Sequence, residues 1–288
     1  MSGRTARRRV FRIRLPDEPG AAQLTERADL LAAEEPLGIR VAGDALTMTM
    51  RTPSDDVDLA AGFLVSEGIV RQAGDIASIR LCDGMSCGHA GHDGLGNIVD
   101  VELRPGLSVA SASRRNFMTT SACGVCGKAS AAELFVKQIW DLNKDRASIT
   151  AAKLATMGDA LRDAQRVFAS TGGLHAAGVF AADGGLIAAR EDVGRHNAVD
   201  KVVGWALRNG KLPMSGCILL VSGRASFELV QKAVLAGFPV LAAVSAPSSL
   251  AADLAEEAGL TLVGFLRGGS MNVYTRPERV LAVAAAPT

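Results

Sequence analysis

The sequence is poor in aromatic side chains, which make up only 4% of its 288 residues. Hydrophobic residues nevertheless reach 48%, mostly Ala, Val and Leu, so a sizeable core is expected and disorder is excluded for most of the chain. No segment reaches the roughly 18 consecutive apolar residues that a membrane helix needs. Basic and acidic residues nearly balance, with a net charge of +1. This balance argues against a surface that binds nucleic acid by releasing counterions.

The N-terminus contains three successive arginines, Arg7 to Arg9, but lacks the long apolar segment and cleavage site of an export signal. Phe11, Ile13 and Leu15 instead alternate with polar residues, which is typical of a half-exposed strand. The five cysteines are an odd number, which does not fit a disulfide scaffold. We therefore expect a cytoplasmic protein with reduced thiols, whose first basic residues form a solvated tail.

Residues 1–115 predict a β-rich N-terminal subdomain that carries the basic tail. Apolar residues from Val57 to Leu64 recur at helical spacing, after Ser54 and Asp55, either of which can cap the helix. A glycine-rich loop separates the last two strands. The predicted strands are 37–41, 46–51, 76–82 and 97–103.

Residues 116–288 predict an α/β domain. Two helical segments, 129–142 and 151–169, come first. The later strands are apolar almost throughout, which favours a parallel sheet covered by helices on both faces. The strands are predicted at 179–180, 186–189, 217–221, 239–244 and 260–265, and the helices at 196–208, 226–236 and 250–258.

The most distinctive chemical feature is the pair Cys123 and Cys126, which lies among small residues just before a predicted helix. Two thiols at this spacing can form a disulfide, share a metal ion or resolve a persulfide, and a helix N-terminus stabilises a thiolate. A structural zinc site would need a second such pair, and none occurs. The alternative is two small buried residues in a tight turn. Cys217 opens an apolar strand and is expected in the core.

Other cysteines and histidines leave two possibilities open. Cys82, Cys87, His89 and His92 are all possible zinc ligands, although a mobile surface hairpin explains their glycine-rich loop equally well. His175 and His196 each lie in a segment rich in polar residues and glycine. Either histidine could orient a substrate or move a proton, or it could be structural. Their segments are 171–175 and 191–197.

Three predicted strands end in segments rich in glycine, serine or arginine, at 222–224, 245–249 and 267–270. Ligands of open α/β sheets bind outside the carboxyl ends of the strands. Exposed amides and arginine suit phosphate groups, so we expect an anionic, nucleotide-like ligand rather than ordinary connecting loops. Neither GxGxxG nor a Walker A sequence is present, which argues against a hydride-transferring dinucleotide enzyme and a P-loop ATPase.

Taken in order, these motifs make the chain resemble the FdhD/NarQ family, the sulfur-carrier proteins needed for active formate dehydrogenases. The resemblance covers about residues 34–280 and is more specific than the cysteine pair alone. It depends on segments 34–37, 50–53, 62–68, 121–127, 171–178, 191–201, 222–227 and 264–274.

The resemblance implies a cytidine-deaminase-like α/β fold and a homodimer. It also implies transfer of sulfur from a cysteine desulfurase to the molybdenum bis(molybdopterin guanine dinucleotide) of formate dehydrogenase, with GDP as a mimic of this bound substrate. Cys123 would carry the persulfide and Cys126 would assist it, with no resident metal. The residues expected to contact the cofactor are Phe265, Leu266, Arg267, Gly268, Gly269 and Ser270, helped by Ser222, Gly223 and Arg224.

Two alternatives of other classes remain open. One is a zinc-dependent nucleotide hydrolase or deaminase, which would hold zinc with Cys123, Cys126 and His175. Zinc deaminases carry H-x-E and P-C-x-x-C sequences, whereas Ala122 precedes the cysteine here and no H-x-E occurs. The other is a cofactor-binding chaperone without sulfur chemistry, in which the cysteines only hold the metal.

Overall fold

The computed structural model describes residues 3–17, 21–82, 97–107, 109 and 139–282. The N-terminal part contains β1 (Thr5–Arg14), β2 (Gln23–Ala32), β3 (Glu35–Val41), β4 (Asp44–Arg51), α1 (Asp56–Ser66), β5 (Ile76–Cys82) and β6 (Ile98–Leu103). The following part contains β7 (Ile149–Thr150), α2 (Ala151–Ala164), α3 (Arg166–Thr171), β8 (His175–Ala181), β9 (Leu186–Asp192), α4 (Arg195–Arg208) and β10 (Cys217–Val221). The last part contains α5 (Phe227–Leu235), β11 (Val240–Ala243), α6 (Ser249–Ala258), β12 (Thr261–Arg267), β13 (Ser270–Val273) and β14 (Val280–Leu281).

The central sheet is mixed rather than parallel, which corrects the prediction. Its strand order is β13-β12-β11-β10-β8-β9. The pairs β10–β11 and β11–β12 are parallel, whereas β8, β9 and β13 are antiparallel to their neighbours. An apolar run shows that a strand is buried on both faces, but it carries no information about strand direction. The mixed α/β fold itself is confirmed.

The N-terminal sheet has the order β4-β3-β6-β5, and the four predicted strands match it closely. The prediction of a solvated basic tail is wrong, because the arginine run lies within β1, which pairs along its length with β2 as an antiparallel hairpin. Arg7, Arg8 and Arg9 are nevertheless exposed. Strand β2 was not predicted, since its sequence lacks a regular alternation of apolar and polar residues.

Helices α1 and α4 join the N-terminal segment to the α/β part. A Cβ atom on Gly62 would lie 1.8 Å from the carbonyl oxygen of Asp200, and one on Gly204 would lie 1.8 Å from that of Asp58. Only glycine permits this approach of the two backbones. One hydrophobic cluster extends from Leu37 through both helices to the central sheet. The predicted boundary at residues 115 and 116 lies outside the described residues and stays a prediction.

The structure differs from the prediction in two segments that were expected to be helical. Segment 151–169 forms two helices, because α2 ends at Ala164 and α3 begins at Arg166, where the Glu191 carboxylate accepts from the amides of Val167 and Phe168. Most of segment 129–142 lies outside the described residues. Its residues 139–141 are not helical, and Leu142 begins a short 3-10 helix, Leu142–Lys144. In the described part of the chain, we find no helix long and apolar enough to cross a membrane.

Candidate functional site

The loops that follow β10, β11 and β12 meet at one edge of the central sheet, as predicted. The amide of Ser245 donates to the carbonyl of Gly223 at 3.4 Å, and the amide of Phe265 donates to the carbonyl of Ser245 at 3.2 Å. Ala225 and Pro247 form a further parallel bridge. Adjacent parallel strands place their carboxyl ends together, and these bonds extend that pairing into the loops.

The first of these loops is fixed at one end and open at the other. The Ser222 hydroxyl accepts from the amide of Ala176 at 2.9 Å, which ties the loop to β8. Gly223 lies close to two side chains, because a Cβ there would be 3.4 Å from Nδ1 of His175 and 3.8 Å from Cδ of Arg195. Arg224 is exposed and has no ion-pair partner among the described residues.

The predicted cofactor segment, residues 265–270, forms the tip of the β12–β13 hairpin. Gly268 and Gly269 have φ of +57° and +78°, and nothing lies near their missing Cβ positions, so their backbone is accessible. Arg267 is exposed, and its guanidinium carbon lies 5.9 Å from the centre of the Phe265 ring. The Leu266 side chain is buried in the hydrophobic cluster that contains Leu154 and Met157 of α2. It therefore packs in the core and is not exposed at the hairpin tip. The binding role of the segment stays a prediction.

His175 lies next to these loops, at the start of β8. Burial lowers its pKa, and the charges of Arg195 and His196 lower it further, against an opposing effect of Asp192. The imidazole is therefore held in its neutral form at neutral pH. Among the described residues, the buried Nε atom of Arg195 has no hydrogen-bond partner. The sequence grouped His175 with the arginine of segment 191–197, and the structure places both side chains close to Gly223.

His196 forms a polar group with Ser226 and Glu228. Its Nε2 lies 3.1 Å from Oε2 of Glu228, which also accepts from the Ser226 hydroxyl at 3.0 Å. Burial acts to raise the pKa of Glu228, but the hydrogen bonds from His196 and Ser226 outweigh it and leave this pKa lowered. Because Nε2 of His196 is already used in this hydrogen bond to the Glu228 carboxylate, the contact favours a structural role for His196.

Much of motif 191–201 is structural. Lys201 and Asp192 form a buried ion pair, and Lys201 also donates to the carbonyl of Thr52 at 2.9 Å. Asp192 accepts from the amide of Thr52 at 3.1 Å and from Asn197 at 2.9 Å. These bonds connect α4 and β9 to the segment that precedes α1. Sequence reasoning missed this role. The sequence did contain one indication of it, because Lys201 lies among Ala198, Val199 and Val202 in the predicted helix and a lysine there needs a buried partner.

The predicted cysteine site lies outside the described residues, since these include neither Cys123 nor Cys126. The same holds for Cys87, His89 and His92 of the second candidate set. Cys82 is buried at the end of β5. Within the described ranges, no group of three or more histidine, cysteine or acidic residues could hold a metal ion.

Cys217 is half-buried at the start of β10. Burial raises its pKa, and the nearby Asp145 charge adds to this effect, so its thiol is a poor nucleophile at neutral pH.

Comparison with known proteins identifies the family. The model of the FdhD/NarQ family matches residues 32–281. The chain belongs to the FdhD/NarQ family. The matched range begins at the last residue of β2, so nearly all of the β1–β2 hairpin precedes it.

FdhD/NarQ relatives resemble the chain over nearly its whole length. A protein named sulfur carrier protein FdhD from Mycolicibacterium paratuberculosis is 55% identical over 96% of this chain and 98% of its own. A protein of the same name from Streptomyces coelicolor is 55% identical over 98% of this chain and 97% of its own. A solved structure, described as a candidate formate dehydrogenase accessory protein from Desulfotalea psychrophila, shares the fold. It has a TM-score of 0.70 and 24% identity over 95% of this chain and 99% of its own.

Proposed function

We propose that the chain is a sulfur carrier that passes sulfur from a cysteine desulfurase to the molybdenum cofactor of formate dehydrogenase. The observation that carries this proposal is the similarity, over nearly the full length, to relatives named sulfur carrier protein FdhD. The cysteine pair and the strand-end loops supply the two parts that this function needs. One part holds sulfur and the other holds the cofactor.

The sulfur-loading step uses a thiolate of the cysteine pair, which we assign to Cys123. This thiolate attacks the terminal sulfur of the desulfurase persulfide. The donor S–S bond breaks, the desulfurase cysteine leaves as a thiolate, and Cys123 becomes the new persulfide. Cys123 is preferred because the family resemblance points to it. The opposing argument is that Cys126 adjoins the predicted helix, which lowers a thiol pKa.

Sulfur leaves the carrier in one of two ways. The reduced metal centre of the client can take the outer sulfur directly: the S–S bond breaks, Cys123 leaves as a thiolate, and the metal supplies the two electrons that reduce the sulfur to sulfide. Alternatively, the Cys126 thiolate can attack the inner sulfur of the persulfide. The second route forms a disulfide between the two cysteines and releases hydrosulfide, so the oxidation of two thiols balances the reduction of the sulfur atom. An external dithiol then reduces the disulfide for the next cycle.

The strand-end loops are suited to the phosphates of the cofactor's guanine nucleotides. Arg224 and Arg267 are exposed, and the backbone at Gly268 and Gly269 is open. Arginine and backbone amides are common phosphate ligands. Ser222 and Gly223 border the same edge of the sheet, so these residues form the proposed anchor, with GDP as the simplest ligand that reports on it.

The family resemblance also supports three further parts of the proposal. These are a homodimer, a cytoplasmic location and a cytidine-deaminase-like topology for the α/β part. In a two-fold dimer, each protomer would hold one guanine arm of the cofactor. Sedimentation with and without GDP tests the oligomeric state.

A labelled transfer assay tests the function directly. Cysteine that carries radioactive sulfur is incubated with a cysteine desulfurase and inactive formate dehydrogenase, with or without the chain. We expect label on the client's cofactor and formate oxidation to appear together, and only when the chain is present. Activation without transferred label would instead favour the chaperone, and hydrolysis of a nucleotide with zinc present would favour the hydrolase.

A further inference from the structure

A polar cavity of about 200 Å³ lies at the base of the β1–β2 hairpin. Its lining includes Ala176, whose amide donates to Ser222 of the first strand-end loop, but none of the loop residues themselves. It is smaller than the roughly 300–1,000 Å³ of typical sites for whole organic ligands, so it suits a small ion or a single group. Three arginines and two carboxylates line it. The charged lining residues are Arg4, Asp55, Arg166, Arg190 and Glu191.

Both carboxylates already have their partners. Asp55 accepts from Arg4 at 3.1 Å and from Ser54 at 2.8 Å, and its other oxygen lies 3.4 Å from Nε of Arg190. Each oxygen of Glu191 accepts from one backbone amide of α3, at 3.0 and 2.8 Å. The acceptors that the cavity offers are therefore largely used.

Hydrogen-bond donors, by contrast, are only partly used. Within the described residues, Nη1 of Arg190 donates to the carbonyl of Ala189 at 3.0 Å and Nη2 to Asp58 at 3.2 Å, whereas its buried Nε makes no hydrogen bond, although it lies 3.4 Å from Asp55. Arg166 is exposed at the cavity rim and has no ion pair or hydrogen-bonded side-chain partner among the described residues. Gln165 is only 5% exposed and lines the cavity, so its side-chain amide is within reach of a bound group. An unpaired buried donor has a free-energy cost unless an ion or a water molecule satisfies it.

We propose that this cavity binds a tetrahedral oxyanion of the phosphate type, held by Arg166, Arg190 and Gln165. Arg166, which has no ion-pair partner among the described residues, supplies the charge, and its free donors and Nε of Arg190 supply charge-assisted hydrogen bonds. Arg4 precedes β1 and reaches the cavity wall through Ser54 and Asp55. A bound anion would therefore also hold the hairpin against the body of the protein.

Thermal unfolding of the full chain tests this site with inorganic phosphate, titrated against chloride at matched ionic strength. A ligand that binds only the native state raises Tm, and above Kd the stabilisation grows with the logarithm of the ligand concentration. We expect such a rise for the natural chain, and an affinity about tenfold weaker for Arg166→Gln, as the loss of one charge-assisted bond implies. Arg166 has no ion-pair or side-chain hydrogen-bond partner in the part of the chain that the structure describes, so this variant should fold normally.

The matched control is Arg71→Gln, which removes an exposed arginine remote from the cavity lining. This control should keep the phosphate affinity of the natural chain. No rise of Tm with phosphate beyond that with chloride at matched ionic strength, or an equal loss in both variants, would overturn the proposal.

The anion can be free phosphate or a phosphate group of a larger ligand, and GDP distinguishes the two sources. If Arg166→Gln weakens GDP binding by the same factor as phosphate binding, the site takes the nucleotide's phosphate. If GDP binding is unchanged while phosphate binding is weakened, the site takes a free oxyanion. In both cases the result is independent of sulfur transfer, because no cysteine takes part.

Discussion

Nζ of Lys201 lies 2.7 Å from Oδ2 of Asp192, and both side chains are fully buried. A buried charge is tolerated only when other groups form hydrogen bonds with it. Here Lys201 donates to the carbonyl of Thr52, and the amide of Thr52 donates to Asp192. The ion pair and the segment before α1 therefore stabilise each other. This connection gives a structural reason for the charges of Asp192 and Lys201 in motif 191–201.

Replacing Lys201 by methionine should therefore destabilise the fold strongly, because it leaves Asp192 buried and unpaired. We expect a loss of about 3–5 kcal/mol in the free energy of unfolding, measured by urea denaturation. Arg9→Ala, which breaks the exposed pair with Glu26, is the control and should cost less than about 1 kcal/mol. Similar losses in both variants would contradict the role given to the buried pair.

The crossing of α1 and α4 gives a second stability prediction. Gly204→Ala places a methyl group against the carbonyl of Asp58, so the helices must separate. We expect a loss of at least about 3 kcal/mol in urea denaturation, since overpacking at backbone contact cannot be relieved by rotamer changes. Gly74→Ala, where nothing lies within 4 Å of the new methyl group, should change stability by less than about 0.5 kcal/mol.

The sequence predicted the α/β part well where burial decides the structure. Strand β10 lies where its apolar run predicts it, and Gly259 ends α6 with a φ of +73°. The meeting of the strand-end loops also followed from the pattern. Strand direction could not be predicted, because apolar runs are the same in either direction. The buried pair of Lys201 and Asp192 was missed, because sequence does not show that two charges meet in the core.

Acid should weaken the fold partly through His175. Its folded-state pKa is lowered from the ordinary value of 6.5, mainly by burial, so the unfolded chain takes up the proton first as pH falls. The stability that neutral His175 provides is therefore complete above pH 6.5 and is lost as pH falls below it towards the folded pKa.

Urea denaturation at about pH 7.5 and about pH 5.5 measures this effect. The natural chain should lose more stability on acidification than His175→Gln does. An equal loss in both proteins would show that His175 does not contribute to the pH dependence.

The division of labour between sulfur carrier and cofactor anchor gives a further prediction. Arg267→Ala removes an exposed guanidinium at the hairpin tip, so we expect GDP binding to weaken about tenfold in calorimetry at low salt. Activation of formate dehydrogenase should be lost with it, while persulfide loading stays intact. Arg71→Ala is the matched control for loss of one positive charge. Failure of Arg267→Ala to load sulfur would contradict the separation of the two roles.

The most direct measurement of the central proposal is the mass of the intact protein after incubation with a cysteine desulfurase and cysteine. We predict an adduct of about 32 Da, one sulfur atom, on the natural chain. The variant Cys217→Ala should carry the same adduct, because the raised pKa of the Cys217 thiol makes it a poor nucleophile. The adduct should be absent from the double variant Cys123→Ala/Cys126→Ala. Full loading of this double variant, or no loading of the natural chain, would contradict a sulfur carrier that acts through the cysteine pair.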